Sequence, residues 1–183
     1  MKANVLVATA CAAVLVGCDY KVPLTETAEL PIDAALVGSW ERTTQQGEKQ
    51  RLLVLPLGKN EYLVSFPARA KDAMFARACL CKTAGLTLLQ LAWFGTAQGV
   101  TPDDGRVYQY ATYTVAGDTL KGRLLNADVV DRESGSAAAL ASAIEANRES
   151  PNLFRDLWEF TKEKPPADPN APPKRPPMPA AWR

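Results

Sequence analysis

The sequence predicts a mainly β domain, in which an antiparallel meander curls into a small barrel or half-barrel with one or two C-terminal helices packed on it. Between residues 36 and 125, short apolar segments follow one another with tight connections and without a helical period. Helical spacing appears only after residue 135. Consecutive short strands are typical of an antiparallel meander and not of a parallel α/β sheet.

Seven strands are predicted within this region. In chain order they cover residues 38–43, 50–57, 61–66, 74–82, 86–94, 107–115 and 120–125. The third alternates clearly, with Tyr62, Val64 and Phe66 on one face. The fourth and fifth would form a hairpin, although the residues MFARA at 74–78 could equally begin a short helix.

Two helices are predicted after the strands. Residues 136–147 are rich in alanine, with Leu140 and Ile144 four residues apart. Ser150 as an N-cap and Pro151 at the first helical position predict a second helix over 151–161. Its apolar residues, Leu153, Phe154, Leu157, Trp158 and Phe160, have helical spacing. Packing on the sheet is the favoured interpretation, ahead of a ligand-sensing or membrane-dipping helix.

Composition excludes several classes of activity. Histidine is absent, which excludes Ser-His-Asp and Cys-His catalysis and every histidine-ligated metal site. We therefore predict a protein that is not an enzyme, with no catalytic residue, no metal and no cofactor. Without residues 1–17 the chain carries 20 basic and 20 acidic side chains, which argues against a nucleic-acid partner.

The N-terminus has the pattern of a secretory signal. Lys2 precedes an uncharged run at residues 5–16, which is too short for a membrane-spanning helix of about 20 residues. The run ends in Leu15, Val16, Gly17 and Cys18, and these four residues resemble a bacterial lipobox. In that family the cysteine sulfur, a strong nucleophile as thiolate, takes a diacylglycerol and the chain is cut before it.

The resemblance implies an address and a domain order. Residues 1–17 would be a lipoprotein signal peptide, 18–35 a tether, 36–163 the β domain with its helices, and 164–183 a tail. The mature protein would be held on a membrane of the cell envelope by acyl chains such as palmitate, facing the periplasm. Asp19 resembles an inner-membrane retention signal, but other bacteria sort differently, so inner and outer membrane both stay open.

The tail is dominated by proline. Residues 164–183 contain eight prolines in twenty residues, a composition that excludes a helix interior or a central strand. An extended polyproline-type segment with a reach of roughly 60 Å is expected. A spacer is favoured over an arm that binds a partner.

A second resemblance concerns the first strand. Gly38-x-Trp40 is similar to the lipocalin motif, in which the tryptophan plugs the closed barrel end against an arginine from a late strand; Arg123 is the matching candidate. The similarity spans roughly residues 36–160, with seven predicted strands where lipocalins have eight and without their middle motif. The order of linker, Leu-x-Gly-x-Trp and β domain also resembles that of small bacterial lipoproteins. The lipocalin resemblance implies a cavity for an apolar ligand or a barrel filled by its own side chains.

Cys79 and Cys81 are the two cysteines left after the signal and the lipidation site are counted. On a strand they share a face with Cα atoms about 6.6 Å apart, at the long edge of disulfide geometry. A strained disulfide, a reactive thiol pair, a soft-metal ligand pair and two buried side chains all stay open.

These observations lead to three functional hypotheses. The first is a non-enzymatic binding or scaffolding role at the membrane, with an envelope protein as partner. The second is a lipocalin-like carrier of a small apolar ligand. The third is thiol–disulfide or soft-metal handling through Cys79 and Cys81.

Overall fold

The structure is a computed structural model that describes residues 20–102 and 105–164. Within these residues, eight strands form a closed antiparallel barrel in chain order, with the first strand paired to the last. The strands are β1 (Gly38–Thr43), β2 (Lys49–Pro56), β3 (Glu61–Phe66), β4 (Met74–Thr83), β5 (Leu86–Thr96), β6 (Tyr108–Ala116), β7 (Thr119–Leu125) and β8 (Phe154–Lys162). The predicted fold class is confirmed, and so is the β4–β5 hairpin.

Strand alternation divides the apolar residues between two cores. The first fills the barrel, where inward side chains such as Trp40, Val64 and Leu120 are almost wholly buried. The second lies outside the wall formed by β4 to β7. The second core exists because other parts of the chain cover this wall.

One of these covers is the helix α1 (Ala137–Ala146), which lies between β7 and β8 in the chain. Its N-cap is Ser136, whose hydroxyl accepts a hydrogen bond from the Ala139 amide. Leu140 and Ile144 are both fully buried and pack in the outer core. The first predicted helix is therefore confirmed almost to its ends.

The second predicted helix is wrong, because most of residues 151–161 belong to β8. This strand pairs with β7 on one side and with β1 on the other, and so closes the barrel. The misleading pattern has a local cause. Arg155 pairs with Leu124 and Trp158 with Gly122, so β8 holds one residue more than β7 between these pairs. Such a bulge breaks the two-residue period and gives the apolar residues helix-like spacing.

The sequence predicted a tether over residues 18–35, and the structure describes residues 20–35 of it. They run along the outer wall of the barrel and are bound to it at several points. The Tyr20 amide donates to the Tyr108 carbonyl (3.1 Å), and the Ile32 amide donates to the Lys59 carbonyl (3.0 Å). We call residues 20–33 the strap. Because these bonds pair the backbone of the strap with that of the barrel, the strap forms part of the folded domain.

Candidate functional site

The closed end of the barrel is built around Trp40. A 3₁₀ turn at Ala34–Leu36 crosses this end, and the Trp40 indole Nε1 donates to the Leu36 carbonyl (2.9 Å). Lys162 is the cross-strand partner of Trp40, and its Nζ lies 5.0 Å from the indole centroid. Gly38 permits this approach, because a Cβ there would lie 3.0 Å from the Lys162 Cε. Trp40 therefore plugs the barrel.

The cation that the structure brings to Trp40 is Lys162, where the sequence predicted Arg123. Arg123 lies on β7 opposite the bulge of β8, and its guanidinium donates a hydrogen bond to the Phe154 carbonyl. The motif residues Gly38 and Trp40 thus lie together at the closed end, whereas Arg123 binds the backbone of β8 and does not form the predicted contact with Trp40. Lys162 is identified by its pairing with Trp40 across β1 and β8. This pairing could not be recognised while residues 151–161 were predicted to form a helix.

Asp33 completes the closed end and was missed by sequence reasoning. Its backbone amide donates to the Tyr62 hydroxyl oxygen (2.6 Å), and the Tyr113 hydroxyl donates to its carboxylate (3.1 Å). Burial raises the pKa of both tyrosines. The Asp33 carboxylate adds to the rise at Tyr113, whereas at Tyr62 the hydrogen bond from the Asp33 amide opposes it in part. Both phenols therefore stay protonated, and the arrangement fastens the strap to the barrel.

The barrel interior retains a small apolar cavity of about 90 Å³. Its walls carry mostly aliphatic and aromatic side chains, among them Leu52, Leu89, Leu91, Trp93 and Phe160. Binding sites for small molecules generally measure about 300–1,000 Å³. The side chains of the barrel therefore fill most of its interior.

Arg42 lies away from the closed end, near the last residue of β1. Its guanidinium carbon lies 5.4, 4.8 and 5.3 Å from the ring centroids of Phe66, Trp158 and Phe160. The same guanidinium donates to the Gln50 amide oxygen (2.9 and 2.6 Å). All three rings also line the cavity. Burial lowers the pKa of Arg42, yet a guanidinium remains charged at any physiological pH.

Cys79 and Cys81 are free and buried on the outer face of β4. Their shared face agrees with the strand prediction. Burial raises the pKa of both thiols, to about 12 for Cys81, with smaller contributions from Glu61 at Cys79 and from Cys79 at Cys81. Thiolate is the reactive and metal-binding form. Two buried, protonated thiols therefore give the redox and metal hypothesis no support.

An apolar patch lies on the part of the outer face of β2 to β5 where Leu55 and Phe94 remain exposed. We call it the β2–β5 patch; its members are Leu53, Leu55, Leu63, Phe75 and Phe94. Leu55 on β2 pairs directly with Leu63 on the neighbouring strand β3, and Phe75 stacks on Phe94 with ring centroids 6.4 Å apart. Leu55 is 40% exposed and Phe94 is 50% exposed. The Glu61–Arg77 ion pair (2.7 Å) borders the patch.

Gln90 is a second residue that sequence reasoning missed. Its side-chain oxygen accepts from the amides of Leu24 (2.7 Å) and Thr25 (3.1 Å), and its amide donates to the Thr25 carbonyl (2.9 Å). Gln90 is buried on the outer face of β5. Its side-chain amide therefore forms hydrogen bonds with the backbone of the strap and holds the strap against the barrel wall.

The predicted lipidation residues, Leu15, Val16, Gly17 and Cys18, lie outside the described residues, as does most of the proline-rich tail. In the part that is described, no helix has the length and apolar character needed to span a bilayer. The same part contains no cluster of three or more His, Cys, Asp or Glu side chains placed to hold a metal ion.

The fold and its surfaces define a closed eight-stranded β-barrel protein with a strapped and helix-covered outer wall. Comparison of the chain with protein-family models, with curated proteins and with solved structures finds no match.

Proposed function

We propose that this protein is an envelope lipoprotein, anchored through Cys18 and facing the periplasm, which binds a protein partner through the β2–β5 patch and catalyses no reaction. The anchor rests on the sequence pattern at Leu15 to Cys18. The binding role rests on the β-barrel fold, with which such a role is compatible.

The observation that carries the protein-binding role is the patch itself. Soluble proteins commonly expose single apolar side chains, but adjacent ones on neighbouring strands are typical of an interaction surface. Aromatic residues such as Phe75 and Phe94 are enriched in the cores of protein interfaces. The bordering Glu61–Arg77 pair supplies the polar rim that such interfaces have.

Site-specific photocrosslinking in the natural host tests this role. A photoreactive amino acid at Leu55 is expected to give one discrete adduct, and Phe94→Ser should abolish that adduct. Leu157, which is 60% exposed on β8 and lies outside the patch, provides the matched control position. No adduct from position 55, or the same adduct from both positions, would exclude the patch as the binding surface.

Lipidation is tested separately. We expect labelled palmitate to enter the chain and Cys18→Ser to abolish both the labelling and the membrane association. Cys11→Ser, within the predicted signal peptide, is the matched control and should retain both. An unsubstituted chain that takes up no label would refute the anchor.

A carrier function is the second candidate, and the position of Arg42 favours it. This guanidinium lies over three rings that also line the apolar cavity. An apolar chain with an anionic head group would match both features, provided that the cavity expands beyond 90 Å³.

Native mass spectrometry distinguishes the two candidates. A carrier would retain a lipid on purification from its host, and Ala111→Phe, which fills the cavity, would remove that lipid. Thr114→Phe, on the exposed face of the same strand, should leave it in place. Absence of a lipid from the unsubstituted protein would eliminate the carrier function.

A further inference from the structure

The described chain begins at a residue that is fixed firmly to the barrel. Tyr20 is fully buried. Its amide and carbonyl form a two-bond antiparallel bridge with Tyr108 (3.1 and 3.0 Å), and its hydroxyl donates to the Val130 carbonyl (3.1 Å). Its ring packs edge-on against Tyr110, with centroids 5.3 Å apart. Position 20 therefore has a defined place on the barrel.

The residues that follow are fixed as well. The Tyr110 hydroxyl donates to the Val22 carbonyl (2.5 Å), and the Lys21 ammonium pairs with Glu133 (3.2 Å). Gln90 then binds the backbone of Leu24 and Thr25. Residues 20–25 are therefore held on the barrel and do not form a flexible linker between the proposed lipid anchor and the folded domain.

Only Asp19 separates Tyr20 from the proposed lipidation site at Cys18. Two peptide units extend over at most about 7 Å. We propose that the barrel rests directly on the bilayer surface, with the end at which β5 leads into β6 turned toward the lipid head groups. The inference rests on the proposed anchor at Cys18 and goes beyond it, because lipidation alone would allow any orientation.

The fold defines which parts lie near the membrane and which lie far from it. Tyr108 is the first residue of β6, so the anchored end also holds the β5–β6 connection, where Val100 is 60% exposed. The β2–β3 turn, with exposed Lys59, lies at the opposite end. Strands of about ten residues tilted by about 40° separate the two ends by roughly 25 Å.

The charges at the anchored end predict how the contact depends on lipid composition. Lys21 and Arg106 both lie near Glu133, at 3.2 and 4.0 Å. These cations therefore have an acidic partner within the protein. Since the covalent anchor provides the attachment, the orientation should not require anionic lipids.

Fluorescence quenching of the lipidated full-length protein in vesicles tests the orientation. A small fluorophore is attached to Val100→Cys or to Lys59→Cys, in vesicles with nitroxide-labelled head groups. We expect loss of most of the fluorescence at position 100 and little loss at position 59, with phosphatidylglycerol present or absent. Because both side chains are exposed, neither substitution should disturb the fold, and thermal unfolding checks this.

A linker variant provides the matched control. About ten Gly/Ser residues inserted between Asp19 and Tyr20 add a mean reach of roughly 17 Å, which should remove the difference between the two positions. The lipid mass on Cys18 is measured on every sample. A lipidated protein with equal quenching at both positions overturns the orientation and leaves the anchor intact. A chain without lipid on Cys18 overturns both.

Discussion

Lys162 Nζ lies 5.0 Å from the ring centroid of Trp40, its direct cross-strand neighbour on β1. This contact joins the first strand to the last at the point where the barrel closes. A cation over an indole face is worth about 0.5–2 kcal/mol, depending on how far the pair is removed from water. The contact therefore contributes to closure of the barrel as well as to the plug at its end.

Lys162→Met is expected to lower the free energy of unfolding by about 1 kcal/mol, because it removes the charge and keeps most of the apolar chain. Chemical denaturation measures this change. In a Trp40→Phe background, Lys162→Met should lower the free energy of unfolding by less, because phenylalanine attracts a cation more weakly than tryptophan does. Equal costs in the two backgrounds would show that Lys162 acts through some other contact.

Substitutions in β8 distinguish the strand from the helix that the sequence predicted. Phe160 is 2% exposed inside the barrel, whereas Leu157 is 60% exposed at the bulge. Phe160→Ala should cost about 3–5 kcal/mol, and Leu157→Ala at most about 0.5 kcal/mol. An amphipathic helix over 151–161 would bury both residues, so a large cost at Leu157 would contradict the strand. Urea denaturation gives both values.

Gln90→Ala should release the strap from the barrel wall. The substitution removes three hydrogen bonds and leaves the amides of Leu24 and Thr25 without their acceptor, at a cost of about 2 kcal/mol. Hydrogen exchange should become faster at these two amides and remain slow in α1. Gln46→Ala, in the exposed β1–β2 connection, is the matched control and should change neither property.

Seven of the eight strands could be predicted because their signals are local. Alternation and tight turns occur within a few residues of each other, as in the pair β6 and β7. The eighth strand could not be recognised in this way, because its bulge disturbs the alternation at the centre of the segment. The correct partner of Trp40 was missed for the same reason, since Lys162 is identified only by the β1–β8 register.

The strap and its partners could not be predicted for a different reason. Gln90 and Thr25 are 65 residues apart, and nothing in the composition of residues 20–35 indicates that a barrel wall will supply their hydrogen bonds. A proline-containing segment without a period is equally typical of a free linker. Cys79 and Cys81 lie between these two cases. Their shared face follows from the strand, but their burial depends on parts of the chain far away in sequence, such as α1, which packs in the same outer core as Cys81.

The buried thiols predict how stability changes at alkaline pH. Burial raises the pKa of Cys81 from 9 to about 12, so between these values the folded protein holds a proton that the unfolded chain releases. The free energy of unfolding should therefore fall as pH rises from about 9 toward 12. Tyr110, whose pKa burial also raises, acts in the same direction. Urea denaturation at pH 8 and pH 10.5 measures the loss, and Cys81→Ala should reduce it without removing it.

Below pH 8.5 the native thiols should resist alkylation, and rapid labelling of the folded protein would contradict their burial.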